Sequence, residues 1–299
     1  MSSVLYDAQG PRAKRRNVLF TAVFVVAFAA LAWWVLASLN DKDQLAWAKW
    51  EPFVHTEAWT TYIWPGLQNT LKAAALAMVI ALPLGAVLGI ARLSEHAWVR
   101  VPVATVVEFF RSIPVLVLMI FGNALYSEYT NVSSDSRPLY AVVTGLVLYN
   151  AAVLAEIVRA GILSLPKGQS EAAMAVGLRK NQVMRFILLP QAVTAMLPAI
   201  VSQLVVIVKD TALGGAVLTF PELLASVGPM SGYYGANTIA SFTVVALIYI
   251  ALNFALTTFA SWLERRLRRG KKSTGAVVGA GAVEELAAPG DHGGTTKEP

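Results

Sequence analysis

Six stretches of roughly 20 mostly apolar residues divide this chain, and their spacing limits its fold more than any single motif does. They run from Asn17 to Leu39, Gly66 to Ala91, Pro102 to Tyr126, Leu139 to Ile162, Gln191 to Val208 and Asn237 to Leu263. Hydrophobic residues make up 56% of the chain and the mean hydropathy is +0.58. Charged residues make up only 14%, against about 25% in soluble domains. A water-soluble fold has no interior large enough for this much apolar surface. In a bilayer the backbone must satisfy its own hydrogen bonds, which leaves helices or closed barrels. Runs of this length predict an all-α integral membrane protein with six transmembrane helices.

The basic residues test that count. With the amino terminus on the cytoplasmic side, the inner segments carry seventeen Lys and Arg and the outer loops three: Lys42, Lys49 and Arg137. Such a bias places both termini in the cytoplasm. The pI near 9.5 therefore reflects topology, because the basic residues cluster beside the spans, and nucleic acid is not a partner. The run Arg12, Lys14, Arg15, Arg16 before the first span is reminiscent of a signal peptide. No small-x-small cleavage pattern follows a short core, and Trp33-Trp34 sits at the outer end as an interfacial anchor, so the helix is expected to be retained. The chain then divides into a basic cytoplasmic segment 1–16, a first helix with external loop 17–65, a transmembrane core 66–265 and a tail 266–299. The tail is basic, then rich in Gly, Ala and small polar residues, and is expected to be disordered. The outer loop, with Trp47, Trp50 and Trp59, is expected to hold a short segment lying at the membrane surface. There is no Cys, so thiol chemistry and Cys-ligated metals are excluded, and three scattered His do not suggest a metal site. No cofactor is expected.

The polar stretch EAAMAVGLRKNQVMRFILLPQA, from Glu171 to Ala192, lies between two spans inside a cytoplasmic loop covering 163–190. Glu171 is expected to begin a short helix, Ala172 and Ala173 to keep one face slim for a close partner, and Gly177 to turn the backbone. Pro190, after Leu189, suits the first turn of the next span. The bland reading is an ordinary amphipathic loop. Against it stands the set spacing: Glu-Ala-Ala, three residues, Gly, nine residues, Ile, one residue, Leu-Pro.

That pattern resembles the EAA loop of importer-type ABC permeases. GLQNTLKAAALAMVIALPLGAVLGIARLS is similar to the opening core helix of their polar amino acid subfamily, FRSIPVLVLMIF to its Arg-x-x-Pro element, and VKDTALG to its Lys-Asp-Thr element. The likeness covers about residues 66–265, and within the subfamily it leans toward glutamate-uptake permeases of high-GC Gram-positive bacteria. The resemblance implies a type I importer permease fold and a transport subunit, not an enzyme, in the cell membrane. It also implies a cytoplasmic ABC ATPase dimer that seats Glu171, Ala172, Ala173, Gly177, Leu189 and Pro190. An extracellular solute-binding protein and a second, non-identical permease chain are implied as further partners. No Gly-x-x-x-x-Gly-Lys-Ser/Thr run occurs, so the ATPase must be another polypeptide.

Charges inside spans are costly and suggest function. Asp210 can take the α-amino group of an amino acid, with Lys209 or Thr211 on its carboxylate. Alternatively, these residues form a local ion pair or brace a helix broken at Gly214-Gly215. Glu156 and Arg159 share a helix face and read as an intrahelical pair or an anchor for the EAA loop. Glu108 and Arg111 repeat the spacing ahead of Pro114, as an elbow or a gate lining, with Arg111 also a candidate for the substrate path. Gly85-x-x-x-Gly89 with Ala73, Ala74, Ala77 and Ala81 makes a slim surface, for pairing with a second chain or for packing within this one. Tyr233 and Tyr234 read as interfacial anchors or as contacts for the binding protein. The expected function is ATP-driven import of a polar amino acid: glutamate, glutamine or aspartate. The alternatives are a permease for another amino acid, such as a basic one, and a secondary carrier. The carrier leaves the EAA spacing unexplained and lacks a visible inverted repeat. An intramembrane enzyme would need a His-Glu-x-x-His or Gly-x-Ser-x-Gly constellation, and neither occurs.

Overall fold

A computed structural model describes residues 10–269, and within them all regular structure is helical. The expectations for residues 1–9 and 270–299 lie outside the described residues. We label the main helices α1 (Pro11–Asp41), α2 (Trp64–Ala91), α3 (Ala97–Ser112), α4 (Val115–Tyr129), α5 (Arg137–Leu163), α6 (Lys167–Ala175), α7 (Leu189–Leu218), α8 (Val227–Tyr233) and α9 (Thr238–Arg269). Wide turns at Trp59–Ile63 and Met184–Leu188 lengthen α2 and α7 at their amino ends, so the continuous spans are Thr56–Ala91 and Lys180–Leu218.

Among the described residues five helices are long and apolar enough to cross a bilayer, and α3 with α4 makes a sixth if the pair is one span. That pair stands where one third span was expected from Pro102 to Tyr126, with the elbow at Pro114 sharp enough to part it into two helices. The chain bends by 99° between α3 and α4. Ile113 precedes Pro114 and is extended (φ −92°, ψ 129°), the conformation a following proline favours. Pro114 also lacks the N–H that would continue the helix. The fifth span differs as well: α7 runs on to Leu218 and is not broken at Gly214-Gly215. Those glycines make room instead. A Cβ on Gly214 would lie 2.2 Å from Val142, and one on Gly215 would lie 2.0 Å from the Glu222 carboxylate.

α5 is the central helix, with 67% of its apolar window buried. Its neighbour α2 presents Ala73, Ala74, Ala77, Ala81, Gly85 and Gly89, all buried. A Cβ at Gly85 would approach Leu154 to 2.6 Å, and one at Gly89 would approach the Ala155 carbonyl oxygen to 2.6 Å. The small-residue stripe therefore packs within the chain, where dispersion between close backbones replaces the hydrophobic effect that lipid does not supply. α7 runs antiparallel to α5, with Gly214 opposite Val142 and Gly161 opposite Met196. α1 has no buried residue and stands outside this core.

Loops meet at both ends. At one end Lys180, after α6, pairs with Glu95 between α2 and α3. At the other end Lys49 donates to the Gly235 carbonyl oxygen, and Asn237 donates to the Lys49 carbonyl oxygen at 3.2 Å. Tyr62 packs against both Tyr233 and Tyr234, with ring centroids 6.3 and 6.2 Å away. The segment between α1 and α2 is thus tied to the α8–α9 turn.

Candidate functional site

The EAA segment begins one turn earlier than its sequence suggests. α6 starts at Lys167, after Pro166, so Glu171 sits in mid-helix and is exposed. Ala172 is exposed, whereas Ala173 is buried against its own chain. The helix ends in a paired cap: Leu178 N–H donates to Ala173 O at 3.1 Å and Gly177 N–H donates to Met174 O at 2.9 Å. These are the two bonds of a Schellman motif, whose C′ residue must be left-handed. Gly177 fills that place at φ 87°. The Glu-Ala-Ala-x-x-x-Gly spacing therefore sets the distance from the exposed carboxylate to the helix stop. Leu189 and Pro190 open α7, with Pro190 in its first turn. The Lys180 ammonium holds the Glu95 carboxyl below its usual range, by hydrogen bond first and by charge second.

Two expected pairs belong to one cluster. Arg159 bonds Glu156 at 2.6 Å and Arg111 meets Glu108 at 3.4 Å. Arg92, from the end of α2, joins them, at 2.7 Å to Glu156 and 3.0 Å to Glu108. Its side chain is only 12% exposed. In the sequence Arg92 is only one of the seventeen basic residues of the expected inner segments. Three helices thus share one ionic group beside the Pro114 bend.

Lys209, Asp210 and Thr211 lie within α7. Thr211 is buried and its hydroxyl donates to Val208 O at 2.7 Å, so it faces the helix packing. Lys209 is exposed and lines a cavity of about 370 Å³ with Leu224, Phe242, Tyr249 and Asn253. Asp210 is half-buried, forms no ion pair with Lys209, and accepts no hydrogen bond among the described residues. By the register of α5 on α7, Asp210 stands opposite Leu146, about ten residues from Glu156. At ~1.5 Å per residue that is roughly 15 Å. Arg111 groups with the ionic cluster and not with Asp210.

One carboxylate escaped the sequence reading. Glu222, between α7 and α8, is 0% exposed. It accepts the N–H groups of Leu224 and Ala225 and the hydroxyl of Tyr249, each at 2.7 Å. Burial pushes its carboxyl up, and these donors oppose the rise. The same segment is fastened to α2: Leu223 N–H donates to Thr70 Oγ1 at 3.1 Å and Asn69 Nδ2 to Pro221 O at 2.8 Å. A buried carboxylate with three donors is a built feature. A lone Glu in the apolar run Thr219–Leu224 was the available signal; ending the fifth span at Val208 hid it in an outer loop.

Comparison with known proteins gives this arrangement its context. Residues 81–269 match the family described as binding-protein-dependent transport system inner membrane component. The glutamate transport system permease protein GluD of Corynebacterium glutamicum is 48% identical over 233 residues, covering 78% of this chain and 85% of that one. The glutamate/aspartate import permease protein GltK of Escherichia coli is 34% identical over 211 residues, covering 69% and 93%. Among solved structures, an amino acid ABC transporter crystallised with histidines aligns with a TM-score of 0.62 at 28% identity, covering 70% of this chain and 95% of that one. The MetNI methionine ABC transporter, facing inward, aligns at 0.55 with 26% identity, covering 70% and 96%. The chain belongs to the binding-protein-dependent inner membrane component family, as a multi-pass permease subunit of an amino acid ABC importer.

Proposed function

We propose that this permease imports glutamate, with glutamine and aspartate as the nearest alternatives. The observation that carries the reading is the 48% identity, over most of both chains, to a glutamate permease. In this reading the basic end of the bundle is cytoplasmic. An ATPase dimer seats α6 from each of two permease chains, and a solute-binding protein delivers the amino acid at the opposite end. ATP binding draws the two α6 helices together and opens the path outward; hydrolysis reverses the motion. The lever must be stiff, and α6 is short, capped at Gly177 and held between two spans.

Asp210 is the proposed contact for the substrate's α-amino group. Among the described residues its half-buried carboxylate has no hydrogen-bond donor. Lys209, at the adjacent cavity, is the proposed contact for a carboxylate, while Thr211 serves packing. The cluster of Arg92, Glu108, Arg111, Glu156 and Arg159 braces the bend at Pro114 and ties α3 to the helix that leads into α6. The test is ATP-dependent uptake of labelled glutamate by vesicles holding the permease, its ATPase and its binding protein. Unlabelled glutamine, aspartate and arginine serve as competitors. Absence of ATP-dependent uptake of labelled glutamate, or uptake blocked by arginine and not by glutamine or aspartate, would overturn the substrate assignment. Uptake without the ATPase would overturn the importer cycle.

A further inference from the structure

The segment from Thr219 to Ser226 leaves α7, turns back beside α2 and enters α8. It begins where Thr219 adopts a left-handed conformation (φ 56°). It is held from three directions, through its backbone on one and through the Glu222 side chain on the other two. α2 supplies Thr70 and Asn69, α9 supplies Tyr249, and α7 supplies the empty space over Gly215 into which the Glu222 side chain fits. Glu222 alone joins the last two. Its Oε2 takes both the Leu224 N–H and the Tyr249 hydroxyl; its Oε1 takes the Ala225 N–H and lies over Gly215. Thr70 and Thr211 flank the same tyrosine. Leu224, whose backbone the carboxylate holds, lines the cavity beside Lys209. On its other side the segment borders a cavity of about 460 Å³, with Tyr62, Asn69 and Glu222 among its lining.

We infer that Glu222 is a positioning residue for transport: it latches segment 219–226 to Tyr249 and over Gly215, and so holds shut the outer end of the cavity beside Lys209. Binding three donors that belong to two elements, it favours one placement of the segment over all others. Moving the segment off α9 to open the path outward breaks the Tyr249 bond, which joins the segment to α9 as the Thr70 and Asn69 bonds join it to α2. The two backbone bonds to Glu222 lie within the segment and can travel with it. This inference rests on the proposed orientation but not on which amino acid is carried.

The chain contains no cysteine, so one introduced thiol reports on the segment. Ser226→Cys replaces a buried hydroxyl 9% exposed and is the reporter, in cells or right-side-out vesicles with the whole transporter assembled and a membrane-impermeant maleimide as probe. Asp135→Cys, in the exposed loop at the same end, is the control: its failure to label would refute the orientation and leave the latch to be read in inside-out vesicles. Labelling of Ser226→Cys should be slow. Adding Tyr249→Phe, or separately Gly215→Ala, should speed it at least tenfold, with ATPase capture unchanged. These two variants act from different helices and leave Glu222 in place, so both would have to fail to fold before the test lost its reading. Glu222→Gln keeps two of the three acceptor contacts and should fall between wild type and Glu222→Ala in both labelling and uptake. Rapid labelling of Ser226→Cys by itself would show that no latch exists. Unchanged labelling in both Tyr249→Phe and Gly215→Ala, with uptake intact, would equally overturn the inference.

Discussion

Replacing Gly177 tests the coupling segment at its most defined point. The residue sits at φ 87°, and an ideal Cβ built there meets nothing within 4 Å. Space is therefore not the obstacle; backbone conformation is. An L-residue forced into a left-handed conformation costs about 1–2 kcal/mol, and a β-branched one is the worst case. Gly177→Val can relieve the strain only by abandoning the two capping bonds to Ala173 and Met174. That would let α6 run on or fray and would move Glu171 relative to the span that follows. Since ~1.4 kcal/mol is a tenfold change in an equilibrium, ATPase capture by Gly177→Val should fall about five- to thirtyfold. Hydrolysis stimulated by the loaded binding protein should fall with it, while membrane insertion stays normal. Asn tolerates the left-handed region better than Ala or Val, so capture should rank Gly, Asn, Ala, Val. The assays are pull-down of the ATPase from detergent extracts and stimulated ATP hydrolysis in vesicles. If Gly177→Asn were as damaging as Gly177→Val, side-chain size and not backbone conformation would decide the effect. If Gly177→Val captured ATPase and transported at wild-type rates, the coupling role itself would fall.

Three further outcomes are expected. Asp210→Asn should raise the apparent KM for uptake about tenfold to a hundredfold, from losing a charge-assisted contact of about 1.5–3 kcal/mol, with assembly intact; unchanged kinetics would remove Asp210 from the path. In double-mutant cycles read by thermal unfolding of the purified complex, Arg92 should couple more strongly to Glu156 than to Glu108. Glu108 is 56% exposed and Glu156 26%, and an exposed pair is worth about 0–1 kcal/mol; equal couplings would contradict the reading. A reporter joined after Lys272 should be cytoplasmic and one inserted near Glu51 external, and finding both on one side would break the proposed topology.

What the sequence made legible was whatever depends on local composition. Apolar length located the spans, because a lipid-facing helix is chosen by hydropathy, but not their ends: the fifth runs to Leu218 and not to Val208. The EAA spacing pointed to a short helix with a glycine stop, although not to its start at Lys167, since that start is set by Pro166 and by the end of α5. The Glu156–Arg159 pair was legible because three residues along a helix is a fixed geometry. Arg92 was not, because its partners lie 16 and 64 residues away and only folding brings them together. The 99° bend was half legible: Pro114 marks the place, but the angle is set by the packing of α3 on α5, where Val107 meets Ala152 and Ala155. Glu222 was hidden because hydropathy counted it as loop, and its burial comes from α2, α7 and α9 together.

The two polar groups of the bundle differ in a way that fits alternating access. At the basic end, cations and carboxylates from α2, α3 and α5 share charges whose exposure ranges from 12% to 56%. Charge pairs in such half-wet surroundings exchange partners at small net cost, because water replaces what a lost partner supplied. At the opposite end, Glu222 is wholly buried, and losing the Tyr249 hydroxyl leaves it only its two backbone donors where water does not replace the third. The first group can therefore slide by degrees as α6 is pulled, whereas the second holds or releases. In the proposed cycle this makes the outer closure the switch and the ionic cluster the hinge. It follows that weakening the cluster, by Arg92→Lys, should slow transport by a modest factor at every glutamate concentration. Weakening the latch, by Tyr249→Phe, should instead raise ATP hydrolysis per glutamate imported. Measuring hydrolysis and uptake together in the same vesicles distinguishes the two, and an unchanged ratio in Tyr249→Phe would refute the division of roles.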